Sequence, residues 1–442
     1  MKNIPAIARR EFTGYSEFTG RREFLKWSGV ASAMALAGCA SQPAAPQKLG
    51  RVIIVGGGYG GATAAKYLRM WSEGAIEVFL IDRSPAFISC PLSNLVLGGS
   101  RKMEDITVGY AKLRDYGVQV INDEVTKVNV DKKTIELKKI QDLNYDRLIV
   151  APGVDFLFDQ VKGMAAPAAQ QNIMHAWKAG PQTVTLRKQL EDMKDGGVFV
   201  MSIPKAPYRC PPGPYERACQ VAHYFKTQKP KSKVMILDAN EDVVSKAGLF
   251  KAQWNGQYKG IVEYRNNMEV NAVDAASRTA ITTLDDKIKA DVLNIIPPMR
   301  AGDIAQQAGL ITANNRWCGV DWLTMESTVR PGIHVLGDST LSAALMPKSG
   351  HMANQHAKVA AAAIIELMNG RQPSQTPMMA NTCYSFIDDK NVVHVASVHA
   401  YDPKDKTMKV VPGSGGLSAG PTELEGVYGN AWARNIWSDM LG

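Results

Sequence analysis

Apolar residues along the chain fall into short unbroken runs separated by helically spaced stretches, an alternation that predicts an α/β fold. The first run, 52–55, is continuously apolar, as expected of a strand buried on both faces in a parallel sheet. Gly56-Gly57-Gly58-Tyr59-Gly60-Gly61 follows, and over 62–68 the spacing becomes that of a helix. A second run, 78–81, ends at Asp82. Gly56, Gly58 and Gly61 match the G-x-G-x-x-G spacing: the first permits a tight turn, the second lets a pyrophosphate approach the backbone, and the third lets helix and strand pack closely. Asp82 stands roughly 20 residues further on, where a carboxylate bonds a ribose hydroxyl, so this stretch predicts a dinucleotide cradle.

The remaining runs predict a second unit of the same kind and a cap. Residues 118–137 alternate as strands, and 145–153 reads as a strand closing on a tight turn. A strand at 197–201 opens the second α/β unit, but the loop after it, 202–216, holds Pro204, Pro207, Pro211, Pro212 and Pro214 in place of a glycine fingerprint. Proline offers no backbone N–H, so this loop is poorly made for NAD(P)H, and another electron donor is expected. Asp238, closing the next strand at 234–237, is then a surviving feature of the fold. The strand 332–336 ends in Gly337-Asp338, and 347–355 leads into an Ala-rich helix reaching residue 368. From 371 a β-rich cap is predicted, closing in a helical stretch with Trp432 and Trp437, to which no catalytic role is assigned.

Composition narrows the class. With 45% hydrophobic and 21% charged residues the chain is neither disordered nor a multi-span membrane protein. The formal net charge of +9 is mild, and no basic run interleaved with aromatics points to nucleic acid. Arg21-Arg22-Glu23-Phe24-Leu25-Lys26, followed by an uncharged stretch too short to span a membrane, resembles a twin-arginine export signal, and a periplasmic location is expected. Leu36-Ala37-Gly38-Cys39 resembles a lipobox, in which Cys39 would carry a lipid, and equally an ordinary cleavage site. Beyond Cys39 stand Cys90, Cys210, Cys219, Cys318 and Cys383, an odd number, so at least one thiol is outside any intramolecular disulfide. There is no C-x-x-C-H for haem attachment and no C-x-x-C spacing for a metal, so no metal site is expected.

Tyr145 to Gly153 and Gly337-Asp338 resemble the second and third signatures of flavoproteins with two dinucleotide folds, which implies FAD, with Asp338 on the ribityl hydroxyls. Lys348 and the helix after it can then face the flavin's pyrimidine edge. Three longer motifs, Phe-x-x-Cys-x-Leu-Ser-Asn at 87–94, Arg-Cys-Pro-Pro-Gly-Pro-Tyr-Glu-Arg-Ala at 209–218 and Asn-Thr-Cys-Tyr-Ser at 381–385, resemble the flavoprotein subunit of flavocytochrome c sulfide dehydrogenase. That resemblance implies a glutathione-reductase-like α/β fold with a C-terminal β-rich cap. It implies an 8α-S-cysteinyl FAD on Cys90, a redox-active Cys210–Cys383 disulfide, sulfide as substrate, and a separate c-type cytochrome subunit that carries the haem and receives the electrons. Hydrosulfide attack on a disulfide gives a persulfide and a thiolate, with the attacked sulfur left open between Cys210 and Cys383. Glu216 is the candidate proton-handling group. Cys219 and Cys318 match no motif and read as packing thiols.

The expected organisation is an export signal at 1–39, a linker at 40–49, the FAD-binding domain at 50–155 and 322–370, the second dinucleotide-like domain at 156–321, and the cap at 371–442. Three other activities compete: a sulfide:quinone oxidoreductase, an NAD(P)H-dependent disulfide reductase, and a non-enzymatic chain that reactivates a sulfur carrier.

Overall fold

The computed structural model describes residues 48–442; the twin-arginine stretch, Cys39 and most of the linker lie outside the described residues. The first apolar run forms β1 (Gly50–Val55), followed by α1 (Tyr59–Trp71), β2 (Ile76–Asp82), β3 (Gln119–Asn122) and β4 (Arg147–Val150). Helix α1 starts at Tyr59, earlier than residue 62, because Gly60 and Gly61 lie within its first turn, where their missing Cβ atoms let it press on the strand. The second unit contains β5 (Val198–Ile203), α2 (Gly213–Gln228), β6 (Lys233–Asp238), β7 (Val262–Arg265) and β8 (Val292–Ile295). The chain then returns through β9 (Ile333–Val335) and α3 (Gly350–Met368).

Two parallel sheets result, ordered β9-β4-β1-β2-β3 and β7-β6-β5-β8. Ile53 and Ile54 at the centre of the first are fully buried, each worth about 1.5–3 kcal/mol relative to exposure. The crossings between the units lie side by side, with Val154–Phe156 pairing antiparallel to Met299–Ala301. The boundary expected at 321 therefore falls nearer 301: Ala301, Ile304, Ala305, Leu310, Cys318 and Val320 all pack into the core of the first unit.

The cap pairs β10 (Met378–Phe386) with β11 (Val392–Asp402) and ends in α4 (Glu423–Leu441). Polar clips hold α4 to the first unit. The buried Lys66 ammonium donates to the Gly442 carbonyl at 2.6 Å, and Asp439 accepts from Tyr67 at 2.5 Å, Asn354 at 2.7 Å and Lys358. Among the described residues no helix is long and apolar enough to cross a membrane.

Candidate active site

One cavity of about 610 Å³ runs between the two units and beneath the cap. At one end lies the glycine turn. Gly56 has φ +101°, and a Cβ there would meet the Ala151 carbonyl at 2.4 Å. A Cβ on Gly61 would stand 1.8 Å from the Gly56 carbonyl oxygen, whereas Gly58 faces open space. The Asp82 carboxylate reaches this turn, accepting from the Gly57 N–H at 2.6 Å and the Ser84 N–H at 2.7 Å, and still lines the cavity.

Further along, Gly337 turns with φ +68° and presents the half-buried Asp338, which lines the cavity and whose buried Oδ1 has no hydrogen-bond partner. Burial holds this carboxyl above its ordinary range, against Arg209 and Lys348. Arg209 is its counterpart: a half-buried side chain whose guanidinium faces Asp338, Cys90 and Cys210, with its buried Nη2 unpartnered. An unpaired acceptor beside an unpaired donor, in a cavity that also holds the open Gly58, fits a ligand carrying hydroxyls at one point and phosphates at another. FAD is such a ligand. Gly58 and the α1 N-terminus would take its pyrophosphate and Asp338 its ribityl hydroxyls; Cys90 is half-buried in the same wall.

The other end is a thiol chamber. Cys210 has a left-handed backbone, φ +58°, held by its N–H donating to the Lys348 carbonyl at 2.8 Å and its carbonyl accepting from Gly213 at 2.9 Å. Pro214 then starts α2 without needing an N–H in the first turn. Cys383 comes from β10 in the cap, opposite Val395. Both sulfurs line the cavity as free thiols. Burial pushes the Cys210 thiol far up, with Cys383 and Glu216 adding to it. It also raises Cys383, against the opposing Lys246 cation and Asn381 amide. Glu216, in the first turn of α2, is buried and lines the same chamber, accepting from Asn94 Nδ2 at 2.8 Å and the Phe386 N–H at 2.8 Å. Burial holds its carboxyl above the usual range, against the Phe386 N–H, the Asn94 amide and the Lys246 and Arg217 cations.

Lys348 departs from expectation. Its ammonium does not line the cavity; it donates to the Asp338 carbonyl at 3.1 Å and to the Thr340 carbonyl, and lies 3.8 Å over the Trp317 ring. Burial lowers it to about 8. Carbonyls and an indole face outcompete the cavity for this cation, leaving Ser349, Gly350 and His351 at the α3 N-terminus to face inward. Cys219 and Cys318 are fully buried free thiols in two separate cores. Arg209, Lys246 and Asn381 were not among the site residues expected from the sequence. Arg209 and Asn381 stand inside the long motifs, so adjacency to a site cysteine was a signal; Lys246 gave none.

The fold and cavity define a flavin-dependent oxidoreductase built on two dinucleotide folds. A family model for pyridine nucleotide-disulphide oxidoreductases matches residues 50–192. Models for the central and flavin-binding parts of the flavocytochrome c sulfide dehydrogenase flavoprotein chain match 183–297 and 375–441, the segments that carry Cys210 and Cys383. The chain belongs to this flavocytochrome c sulfide dehydrogenase flavoprotein family. It is 52% identical to the flavoprotein chain from Chlorobaculum thiosulfatiphilum over 46 residues, 10% of this chain and 94% of that sequence. It is 23% identical to mouse mitochondrial sulfide:quinone oxidoreductase over 305 residues, a match spanning 65% of each chain. The Aquifex aeolicus sulfide:quinone oxidoreductase structure superposes with a TM-score of 0.71 at 18% identity, covering 88% of this chain and 91% of that one. Putidaredoxin reductase, in its covalent complex with putidaredoxin, gives 0.63 at 16%, covering 88% and 93%.

Proposed function

We propose that this chain oxidises sulfide to sulfur or polysulfide through a Cys210–Cys383 disulfide, with electrons leaving singly to a c-type cytochrome subunit. The observation that carries this is the meeting of Cys210, from the second unit, and Cys383, from the cap, in the cavity that the Gly58 turn and the unpaired Asp338 also line. Bound FAD supplies a two-electron acceptor that can release electrons one at a time, which joins a sulfur donor to a haem. The chain's own residues do the rest. Cys210 and Cys383 present the bond that hydrosulfide attacks, giving a persulfide and a thiolate. Glu216, buried with a raised affinity for its proton, takes up or returns the proton of the incoming sulfide.

Cys90 is the proposed covalent attachment point, which suits a periplasmic protein exported folded by its twin-arginine signal, where a lost cofactor could not be recaptured. Cytochrome is favoured over quinone because the flavocytochrome family models cover both cysteine-bearing segments. The test is sulfide-dependent turnover with a soluble c-type cytochrome beside a short-chain quinone. Faster cytochrome reduction is expected; quinone reduction with no cytochrome reduction would overturn the acceptor assignment.

A further inference from the structure

The two thiols sit in unequal surroundings. Cys383 Sγ receives the Asn381 Nδ2 at 3.4 Å. That amide is turned by a relay: the Met352 N–H donates to Ser349 Oγ at 3.0 Å, leaving the hydroxyl to donate to Asn381 Oδ1 at 2.6 Å and the amide nitrogen to face the sulfur. Lys246, buried and with φ +57°, sends its ammonium to the Cys383 carbonyl at 2.7 Å and Ser385 Oγ at 2.8 Å, beneath the same residue. Cys210 has no side-chain hydrogen bond at its sulfur among the described residues, and that sulfur lies beside Gly213. The Arg209 cation that faces it is shared with Cys90 and Asp338. The charged and titratable groups facing Lys246 are Cys383, Glu216, Cys210 and Glu425; those facing Cys383 are Lys246, Glu216 and Cys210, with the neutral Asn381 and Ser349 side chains beside it.

From this we infer that Lys246 and Asn381 are positioning residues that make Cys383 the leaving thiolate, so that sulfide attacks the sulfur of Cys210. The inference rests on the sulfide-oxidising disulfide proposed above. In the step, HS⁻ forms a new S–S bond to Cys210 as the Cys210–Cys383 bond breaks. The products are Cys210–S–SH, which keeps the proton of HS⁻, and the Cys383 thiolate, which takes the electron pair of the broken bond. The disulfide is the oxidant, and exchange is faster when the departing thiolate is the better stabilised one. An ammonium and an amide N–H at Cys383 provide that stabilisation, and Cys210 has no equivalent pair.

The assignment is tested on the wild-type holoprotein by mixing it anaerobically with one equivalent of sulfide, quenching with an alkylating agent, and mapping the peptides by mass spectrometry. The expected product carries an alkylated persulfide on Cys210 and an alkylated thiol on Cys383. A persulfide on Cys383 would overturn the assignment while leaving sulfide oxidation in place; no persulfide on either, with no flavin bleaching, would remove the disulfide reading beneath it. Lys246→Met should slow persulfide formation by ~10-fold or more and raise the pH at which Cys383 alkylates in reduced protein, by more than it raises that of Cys210, with Lys246→Arg restoring part of both. Equal shifts at the two cysteines would reduce Lys246 to a packing residue.

Discussion

After β1 the chain turns through Gly56, leaves open space at Gly58, and starts α1 with Gly61 pressed on the Gly56 carbonyl. After β5 the equivalent turn runs through prolines, and the place in front of α2 is filled: a Cβ on Gly213 would meet Cys210 Sγ and the Trp177 ring, each at 2.8 Å. The acids closing the second strands diverge in the same way. Asp82 lines the cavity, while Asp238 is fully buried and accepts from Tyr215 at 2.8 Å, Tyr264 at 3.0 Å and Asn240. One strand–loop–helix plan thus serves two purposes. In the first unit the backbone at Gly58 and the α1 N-terminus is left open for a phosphate; in the second the loop delivers a thiol to its neighbour's cavity.

The largest effect expected is from closing the first loop. Gly61→Val places a Cβ 1.8 Å from the Gly56 carbonyl oxygen, and a loss of at least ~4 kcal/mol, with purified protein largely free of flavin, should follow in thermal melts and absorbance spectra. Cys383→Ser acts on the second unit's task alone: flavin content stays at the wild-type level while sulfide-dependent bleaching falls to background. Normal bleaching in that variant would remove the thiol pair from the chemistry. Cys90→Ala should release yellow cofactor on acid precipitation, where wild-type protein keeps it in the pellet.

Smaller effects bear on stability. Burial holds His356, in the first unit, and His175, in the second, down at about 3. Their folded-state values lie below the unfolded value of 6.5, so the unfolded chain binds more protons between them and stability falls as pH drops through that window. From pH 7 to pH 5 each should cost about 2 kcal/mol, read as a falling urea midpoint that His356→Gln makes shallower. The smallest change is Asp238→Asn, which should lower stability by about 1–2 kcal/mol through its tyrosine partners without altering flavin content. Asp82→Asn should instead reduce flavin content.

Much of this contrast was legible in the residues. The glycine spacing, the prolines at 204–214 and the acids at strand ends each state a backbone requirement, and such requirements are local. What stayed hidden depended on where long side chains go. Lys348 precedes α3 as a flavin-facing cation would, yet Trp317 and two carbonyls hold it elsewhere, and no pattern along the chain marks those three partners. Lys246 reaches Cys383 only because the cap folds β10 over α2. The return to the first unit near 301 was likewise hidden, since it is set by the pairing of Val154–Phe156 with Met299–Ala301 and by apolar side chains choosing between two cores.

The most direct test of this division of labour is an anaerobic absorbance titration of the holoprotein, with sulfide in one cuvette and NADH, then NADPH, in another. The account predicts that sulfide bleaches the flavin band, that both nicotinamides leave it unchanged, and that oxidised cytochrome c restores it. Bleaching by NADH or NADPH with none by sulfide would mean that the proline loop does admit a dinucleotide, and would contradict the account.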